Sequence, residues 1–293
     1  MLFRMFAALA AFLASTAFAQ AVLYGTVNAS GTSTLVRLDP ATGALLQTIG
    51  PVGYVLNGLA FDPTTGMLYG STSSRGESGP GSSIVTISTT TGAATVVGPT
   101  NQSQVATIAF TPNGTLYGWS DLVTTPGGND DLVVINKATG AATWVGDSGL
   151  STYEQTFAIN ANGTAYLLNG AGDAYTINLS TGAATPVGSF TRPSGTTNHH
   201  GAFNPANGLL YVIDRTNDSS PSNPRNMSTF NTATNAFVGS PIPIPNDVHT
   251  LAFLPKVAAS VVPANETWAL MLLVVAVIAG SFLLGRRRTH AAP

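Results

Sequence analysis

An internal repeat with a period near 48 residues constrains this sequence more than any other feature. Each step carries a short apolar run with a tyrosine, most often Leu-Tyr-Gly, and a Thr-Gly-Ala turn followed by Val-Gly. The tyrosines are Tyr24, Tyr69, Tyr117, Tyr166 and Tyr211, and the turn positions are Gly43, Gly92, Gly140, Gly182 and Asn235. Two landmarks that keep one period over five steps indicate a repeated structural unit.

Each step contains four short runs rich in β-forming residues, separated by turn signals. In the second step the runs are 58–61, 67–70, 83–87 and 94–98. In the turn Asp62-Pro63-Thr64-Thr65-Gly66, the Asp side chain caps the turn, Pro presets φ and Gly takes the positive φ. Such Asp and Asn residues recur once per hairpin and do not cluster, which favours turn capping over calcium binding. Four such runs predict one antiparallel sheet of hairpins.

One sheet of this size cannot bury both of its faces, whereas five sheets packed around an axis can. The body opens at Leu23-Tyr24 without an inner run and closes on the inner run 250–253, so pairing these ends completes one sheet. The sequence therefore predicts an all-β fold over residues 20–256, a five-bladed β-propeller closed by pairing of its N- and C-terminal strands. A stacked solenoid is the alternative, and it would leave the two half-units unpaired.

Composition excludes several classes of partner and site. Only 8% of the residues are charged and the formal net charge is −2, which argues against a phosphate-binding surface and against nucleic acid as a partner. The chain has no cysteine, so it forms neither a disulfide nor a thiolate zinc site.

The N-terminus has the features of a secretory signal peptide over residues 1–19. Arg4 precedes an apolar stretch that runs from Met5 to Phe18, and Ala17 and Ala19 form a small-x-small cleavage site before Gln20. An uncleaved N-terminal anchor is the alternative. Either interpretation predicts export through the inner membrane.

The C-terminus predicts one transmembrane helix over residues 268–285, after a linker at 257–267. This stretch carries no charge, and at about 1.5 Å per residue it spans roughly 27 Å, enough for a bilayer core. The basic tail 286–293 begins with Arg286, Arg287 and Arg288, which would stay cytoplasmic and leave the body outside. A buried core helix is the alternative.

The order of parts in this tail resembles the IPTL-CTERM sorting tails of Gram-negative bacteria and the related PEP-CTERM tails. Val262, Pro263 and Trp268 precede the apolar stretch, and the arginine cluster Arg286–Arg288 follows it. The resemblance implies a membrane sorting protease as partner and a final location at the cell surface or outside the cell. The body resembles the uncharacterised repeat propellers found on secreted bacterial proteins with such tails, in its Leu-Tyr and Asp-Pro-x-Thr-Gly motifs.

Candidate site residues come from aligning the five inner runs on Phe61, Phe110, Ile159, Phe203 and Phe253. Four residues earlier stand Asn57, Ala106, Gln155, His199 and His249. Strand alternation would keep these side chains on the face of the anchoring aromatic, at the end of the channel where the inner strands begin. Asn57, Gln155, His199 and His249 are therefore the predicted ligand-binding residues. Polar groups that only satisfy backbone at the channel mouth are the other interpretation.

A catalytic interpretation of the same zone is possible. His199 and His249 with Glu154 or Asp247 could hold a divalent metal, as in a lactonase-like hydrolase, and either histidine could be the general base of a metal-free lyase. Asn57 and Ala106 stand where such metal enzymes need acidic residues. The sequence therefore favours a protein without a cofactor that binds a glycan, peptide or small ligand, or that has a structural role in the envelope or matrix.

Overall fold

The computed structural model describes residues 21–29, 31–72, 82–120, 130–151, 155–193, 197–215 and 225–254. These residues form twenty strands in five antiparallel sheets of four. Within those ranges no helix is long and apolar enough to cross a bilayer. The predicted signal peptide, sorting motif and helix 268–285 lie outside them.

The twenty strands follow the repeat, four to each step. Numbered along the chain, the strands are β1 (Leu23–Ala29), β2 (Thr32–Leu38), β3 (Leu45–Pro51), β4 (Leu56–Phe61), β5 (Leu68–Thr72), β6 (Ser83–Ile87), β7 (Ala94–Pro99), β8 (Val105–Phe110), β9 (Leu116–Ser120), β10 (Asp131–Ile135), β11 (Ala142–Gly146), β12 (Thr156–Ile159), β13 (Ala165–Leu168), β14 (Asp173–Ile177), β15 (Ala184–Ser189), β16 (Thr197–Phe203), β17 (Leu210–Arg215), β18 (Arg225–Asn231), β19 (Ala236–Ile244) and β20 (Val248–Phe253).

The sheet order confirms a five-bladed propeller closed by its two ends. Four blades use consecutive strands, and the remaining blade has the order β20-β1-β2-β3. In that blade Leu23 lies opposite Phe253, and Tyr24 lies opposite Ala252. The inner strands β20, β4, β8, β12 and β16 pair on one edge only and contact each other around the channel.

Aromatic contacts between neighbouring blades explain the tyrosine of the repeat. The ring of Tyr24 in β1 meets the ring of Phe61 in β4 edge-on, with the ring centroids 5.2 Å apart. Edge-on contacts recur in the pairs Tyr69–Phe110 and Tyr211–Phe253, and the rings of Tyr166 and Phe203 meet in a tilted arrangement. Such a pair contributes about 0.5–1.5 kcal/mol beyond the area that it buries. The inner-strand aromatic therefore faces the preceding blade.

A backbone contact between blades explains the two glycine landmarks. Gly98 is the next-to-last residue of the outer strand β7, and a Cβ placed on it would lie 2.1 Å from the carbonyl oxygen of Thr139 in the next blade. A Cβ on Gly140, in the turn that follows Thr139, would lie 2.2 Å from the carbonyl oxygen of Gly98. The pairs Gly50–Gly92 and Gly146–Gly182 repeat this contact. The Val-Gly and Thr-Gly landmarks are thus the two sides of one interface.

The turns have the predicted side-chain caps. Asp39 Oδ1 accepts hydrogen bonds from the backbone N–H groups of Ala41 and Thr42, and Gly43 closes the turn with φ +72°. Asn or Asp oxygens accept in the same way at Asp62, Asn136, Asn160, Asn178, Asn204 and Asn231. These residues serve as turn caps, as the sequence predicts.

Candidate functional site

The predicted site residues lie at the end of the channel where the inner strands begin, which we call the inlet. Four inner strands carry a β-bulge there. In β4 the register passes from Leu56–Thr72 to Gly58–Ser71 and skips Asn57. Ala106, His200 and His249 are skipped in the same way in β8, β16 and β20. Gln155 directly precedes β12. A bulge leaves its extra residue unpaired and re-aims the side chain.

The bulge changes which residue of β4 packs into the core. Leu56, Leu59 and Phe61 belong to one cluster between the first two blades, and Leu56 is fully buried. Leu56 and Leu59 are three positions apart, so strict alternation is broken between them. Strict alternation, on which the expectation that Asn57 shares the face of Phe61 rests, therefore does not hold through the bulge.

Two amide side chains at the inlet are buried with an unpartnered donor. Asn57 is 9% exposed and Gln155 is 5% exposed. Within the described part of the chain, neither Asn57 Nδ2 nor Gln155 Nε2 has a hydrogen-bond partner. A buried donor without an acceptor costs about 1–3 kcal/mol, so these groups are suited to a ligand that supplies acceptors.

A pair of imidazole rings lies at the same end. The ring centroids of His200 and His249 are 5.0 Å apart, with 46° between the ring planes. His200 has φ +28°, an unusual backbone conformation at the bulge. Equal spacing in the sequence selects His199 instead, whose backbone lies opposite Ile213 in β17 and whose side chain is outside the described set. In the sequence, only its position next to His199 points to His200. Equal spacing misses His200 because the bulge in β16 lies three residues before Phe203, whereas the bulge in β4 lies four residues before Phe61.

The metal hypothesis cannot be built from the described residues alone. Asp247 lies two residues before His249 and has φ +69°, whereas Glu154 lies outside the described ranges. Among the side chains that the structure describes, no three His, Asp or Glu residues are grouped to hold a metal ion. The metal and catalytic assignments for His199, His249, Glu154 and Asp247 stay predictions.

One buried carboxyl beside the inlet was not singled out by the sequence. Asp214 is 1% exposed, and it lies opposite Asn198 in the strand pair β16–β17. Burial raises its pKa to about 6, although a hydrogen bond from Ser228 and the charge of Arg192 act in the opposite direction. Ser228 Oγ donates to Asp214 Oδ2, while Oδ1 has no partner among the described residues. Nothing in the local sequence Val-Ile-Asp-Arg distinguishes this Asp from an exposed one.

The closed ring and the bulged inner strands define a five-bladed propeller with a polar channel inlet. Residues 45–220 match the family described as a repeat of unknown function (DUF6923), and the chain belongs to this family. No curated protein sequence matches the chain.

Several solved structures align with this chain at low sequence identity. The propeller of a nidogen/laminin complex aligns with a TM-score of 0.53 and 12% identity, over 80% of this chain and 98% of that chain. A gluconolactonase from Xanthomonas campestris aligns with a TM-score of 0.47 and 12% identity, over 79% of each chain. An auxiliary nutrient binding protein from Bacteroides ovatus aligns with a TM-score of 0.44 and 13% identity, over 78% of this chain and 64% of that chain. The first of these likenesses shows a shared fold and nothing finer.

Proposed function

We propose that the protein is an exported propeller, directed to the cell surface, that binds a small polar ligand at the channel inlet. The observation that carries this proposal is the bulged ring of Asn57, His200 and His249 together with Gln155. These residues come from four different blades, at the end of the channel where the inner strands begin. A rigid ring of hairpins is a suitable scaffold for such a site.

The chemistry of the inlet favours a ligand rich in hydrogen-bond acceptors. Asn57 Nδ2 and Gln155 Nε2 are donors, and a neutral imidazole offers one further N–H. Sugar hydroxyls, sugar carboxylates and peptide carbonyls all present oxygen acceptors of this kind. A small glycan, a sugar acid or a short peptide is the class of ligand that fits.

A metal-dependent hydrolase or a lyase is the second candidate, and the pair of imidazoles at 5.0 Å is the observation in its favour. Two imidazoles that share one metal would need a further ligand, and Asp247 is the nearest carboxylate in sequence among the described residues. In a lyase, one imidazole would accept the proton of the substrate.

Replacing Gln155 by leucine tests whether the inlet amide is there for a ligand. We expect Gln155→Leu to leave the free energy of unfolding of the ligand-free protein unchanged or to raise it by about 1 kcal/mol. The reason is that it removes a buried, unpartnered donor and keeps a similar shape. The same variant should lose any rise in melting temperature that glucuronate, a sugar acid rich in acceptors, gives to the parent protein. Urea unfolding and thermal melts measure the two effects.

Gln104→Leu is the matched control. Gln104 is 6% exposed, as buried as Gln155, but its side chain has no unpartnered buried atom within the described residues. It should therefore lose about 1–2 kcal/mol. A loss of that size in Gln155→Leu would mean that Gln155 is structural and would contradict the binding proposal. A stoichiometric divalent metal in the purified chain would favour the enzyme instead.

Deleting residues 262–293 tests the tether. We expect the shortened chain to appear in the periplasm or the medium instead of the membrane fraction, because the predicted transmembrane helix and arginine cluster are gone. Its melting temperature should match that of the parent body, since all five blades are complete by Phe253. Cell fractionation and a thermal melt check the two statements. An unfolded product would contradict the division into body and tail.

A further inference from the structure

A second concave site lies at the opposite end of the channel, where the inner strands end, which we call the outlet. A cavity of about 430 Å³ opens there, built from the last residues of all five inner strands and the turns that follow four of them. Its wall includes four phenylalanines and one isoleucine, at Phe61, Phe110, Ile159, Phe203 and Phe253. The volume falls in the range of about 300–1,000 Å³ that is typical of small-molecule sites, and a protein partner would need a much larger surface.

Among the described residues, the wall of this cavity carries no charged side chain. The inner strands contribute an alanine immediately before each aromatic or Ile residue, and small residues at this position leave the space open. The turns contribute Pro63, Pro112, Pro205 and Ala161 at the rim. Within the described part of the chain, the polar side chains of the wall are Asn160 and Asn204, whose oxygens already cap their own turns. A charged ligand would lose its hydration here without finding a partner.

The aromatic residues of the wall are held by contacts with neighbouring blades and are largely buried, with Phe61, Phe110 and Phe253 only 6–8% exposed. Phe61, Phe110, Phe203 and Phe253 are each held against a tyrosine of the preceding blade, with ring centroids 5.1 to 5.8 Å apart. Rings fixed in this way need little ordering when a ligand arrives, and they favour edge-to-face contact with a further ring. A molecule with an aromatic ring therefore gains more here than a flexible chain does.

From this geometry we propose that the outlet cavity is a binding site for a small uncharged aromatic molecule, separate from the polar inlet. The two ends of the channel differ in kind. The inlet offers hydrogen-bond donors and imidazoles, and the outlet offers apolar wall. A polar ligand is excluded from the outlet because it would lose its hydration there without gaining hydrogen bonds. An apolar aromatic ligand is disfavoured at the inlet because it offers few acceptors to the donors there.

Benzophenone is a suitable probe, because it is uncharged and aromatic and links to nearby C–H groups under light. Full-length protein is labelled over a range of probe concentrations, and the labelled residues are mapped by mass spectrometry. We expect labelling to saturate on the segments 59–63 and 158–161, and an excess of unreactive diphenylmethane to suppress it. Ala161→Trp should reduce this labelling by at least about tenfold, because Ala161 is exposed and lines the cavity.

Asn162→Trp is the matched control, since Asn162 is exposed in the same turn but does not line the cavity. It should label like the parent. Pro112→Trp blocks the cavity from another blade and replaces Ala161→Trp if that variant melts at a lower temperature. Labelling that does not saturate, that both blocking variants leave unchanged, or that falls only on the exposed outer-strand residues Leu46, Val96 and Val238 would overturn the proposal.

Discussion

Gly140→Ala is expected to lower the free energy of unfolding by about 2–5 kcal/mol. Gly140 has φ +78°, a left-handed conformation that costs a residue with a Cβ about 1–2 kcal/mol. The added Cβ would also lie 2.2 Å from the carbonyl oxygen of Gly98, so the neighbouring blades must move apart. Overpacking of this kind costs about 1–3 kcal/mol more. Urea unfolding followed by circular dichroism measures the loss.

Two control variants separate the two causes. Gly66→Ala imposes the same backbone strain at φ +72°, but no atom lies within 4 Å of its new Cβ, so it should lose only about 1–2 kcal/mol. Gly98→Ala creates only the overlap, because its Cβ would meet Thr139 O at 2.1 Å without a left-handed φ, so it should lose about 1–3 kcal/mol. If Gly140→Ala loses no more than Gly66→Ala, the contact between blades does not contribute to stability.

Asp214→Asn is expected to make the protein more stable at pH 8 by about 3 kcal/mol and to change little at pH 4. Burial raises the pKa of Asp214 from 3.8 to about 6, against the hydrogen bond from Ser228 and the charge of Arg192. The folded protein therefore keeps a proton on this carboxyl that the unfolded chain releases near pH 4. Each unit of pKa difference corresponds to about 1.4 kcal/mol.

The sign of the pH dependence follows from that difference. Between pH 4 and pH 6 the folded state binds more protons at Asp214 than the unfolded state does, so its contribution to stability falls as the pH rises through this window. Asn keeps the size and the acceptor for Ser228 and does not titrate. Melting curves from pH 4 to pH 8 should therefore diverge between the parent and Asp214→Asn. Asp147→Asn, at an exposed turn, removes one carboxylate as a control, and a similar divergence there would count against Asp214.

The repeat alone was enough to predict the blades and their closure. Apolar runs and turn residues carry local information, and both recur five times, so errors in one step are corrected by the others. The pairing of Leu23 with Phe253 was also predictable, because the body begins and ends on half of a unit. The contact between Gly98 and Gly140 was not foreseen, since glycine in a turn reads as a local requirement and its partner lies in another blade.

The site was harder to predict than the fold. Aligning the inner runs identified the inlet, but strict alternation fails at the bulges, which no residue type announces. Leu56 therefore packs with Leu59 and Phe61 although it stands an odd number of positions before both, and His200 lies beside His249 where equal spacing selects His199. The raised pKa of Asp214 and the apolar outlet depend on how several blades enclose a volume, and no single segment encodes that.

The closure of the first blade has a consequence for how the chain matures. Strand β1 obtains its inner neighbour only from β20, more than 200 residues later along the chain. A polypeptide that emerges from a ribosome or a translocon with its N-terminus first can complete the other four sheets one after another. Its first three strands keep an open hydrogen-bonding edge until the residues near 253 have followed. The ring of blades can therefore close only after the chain has emerged as far as Phe253.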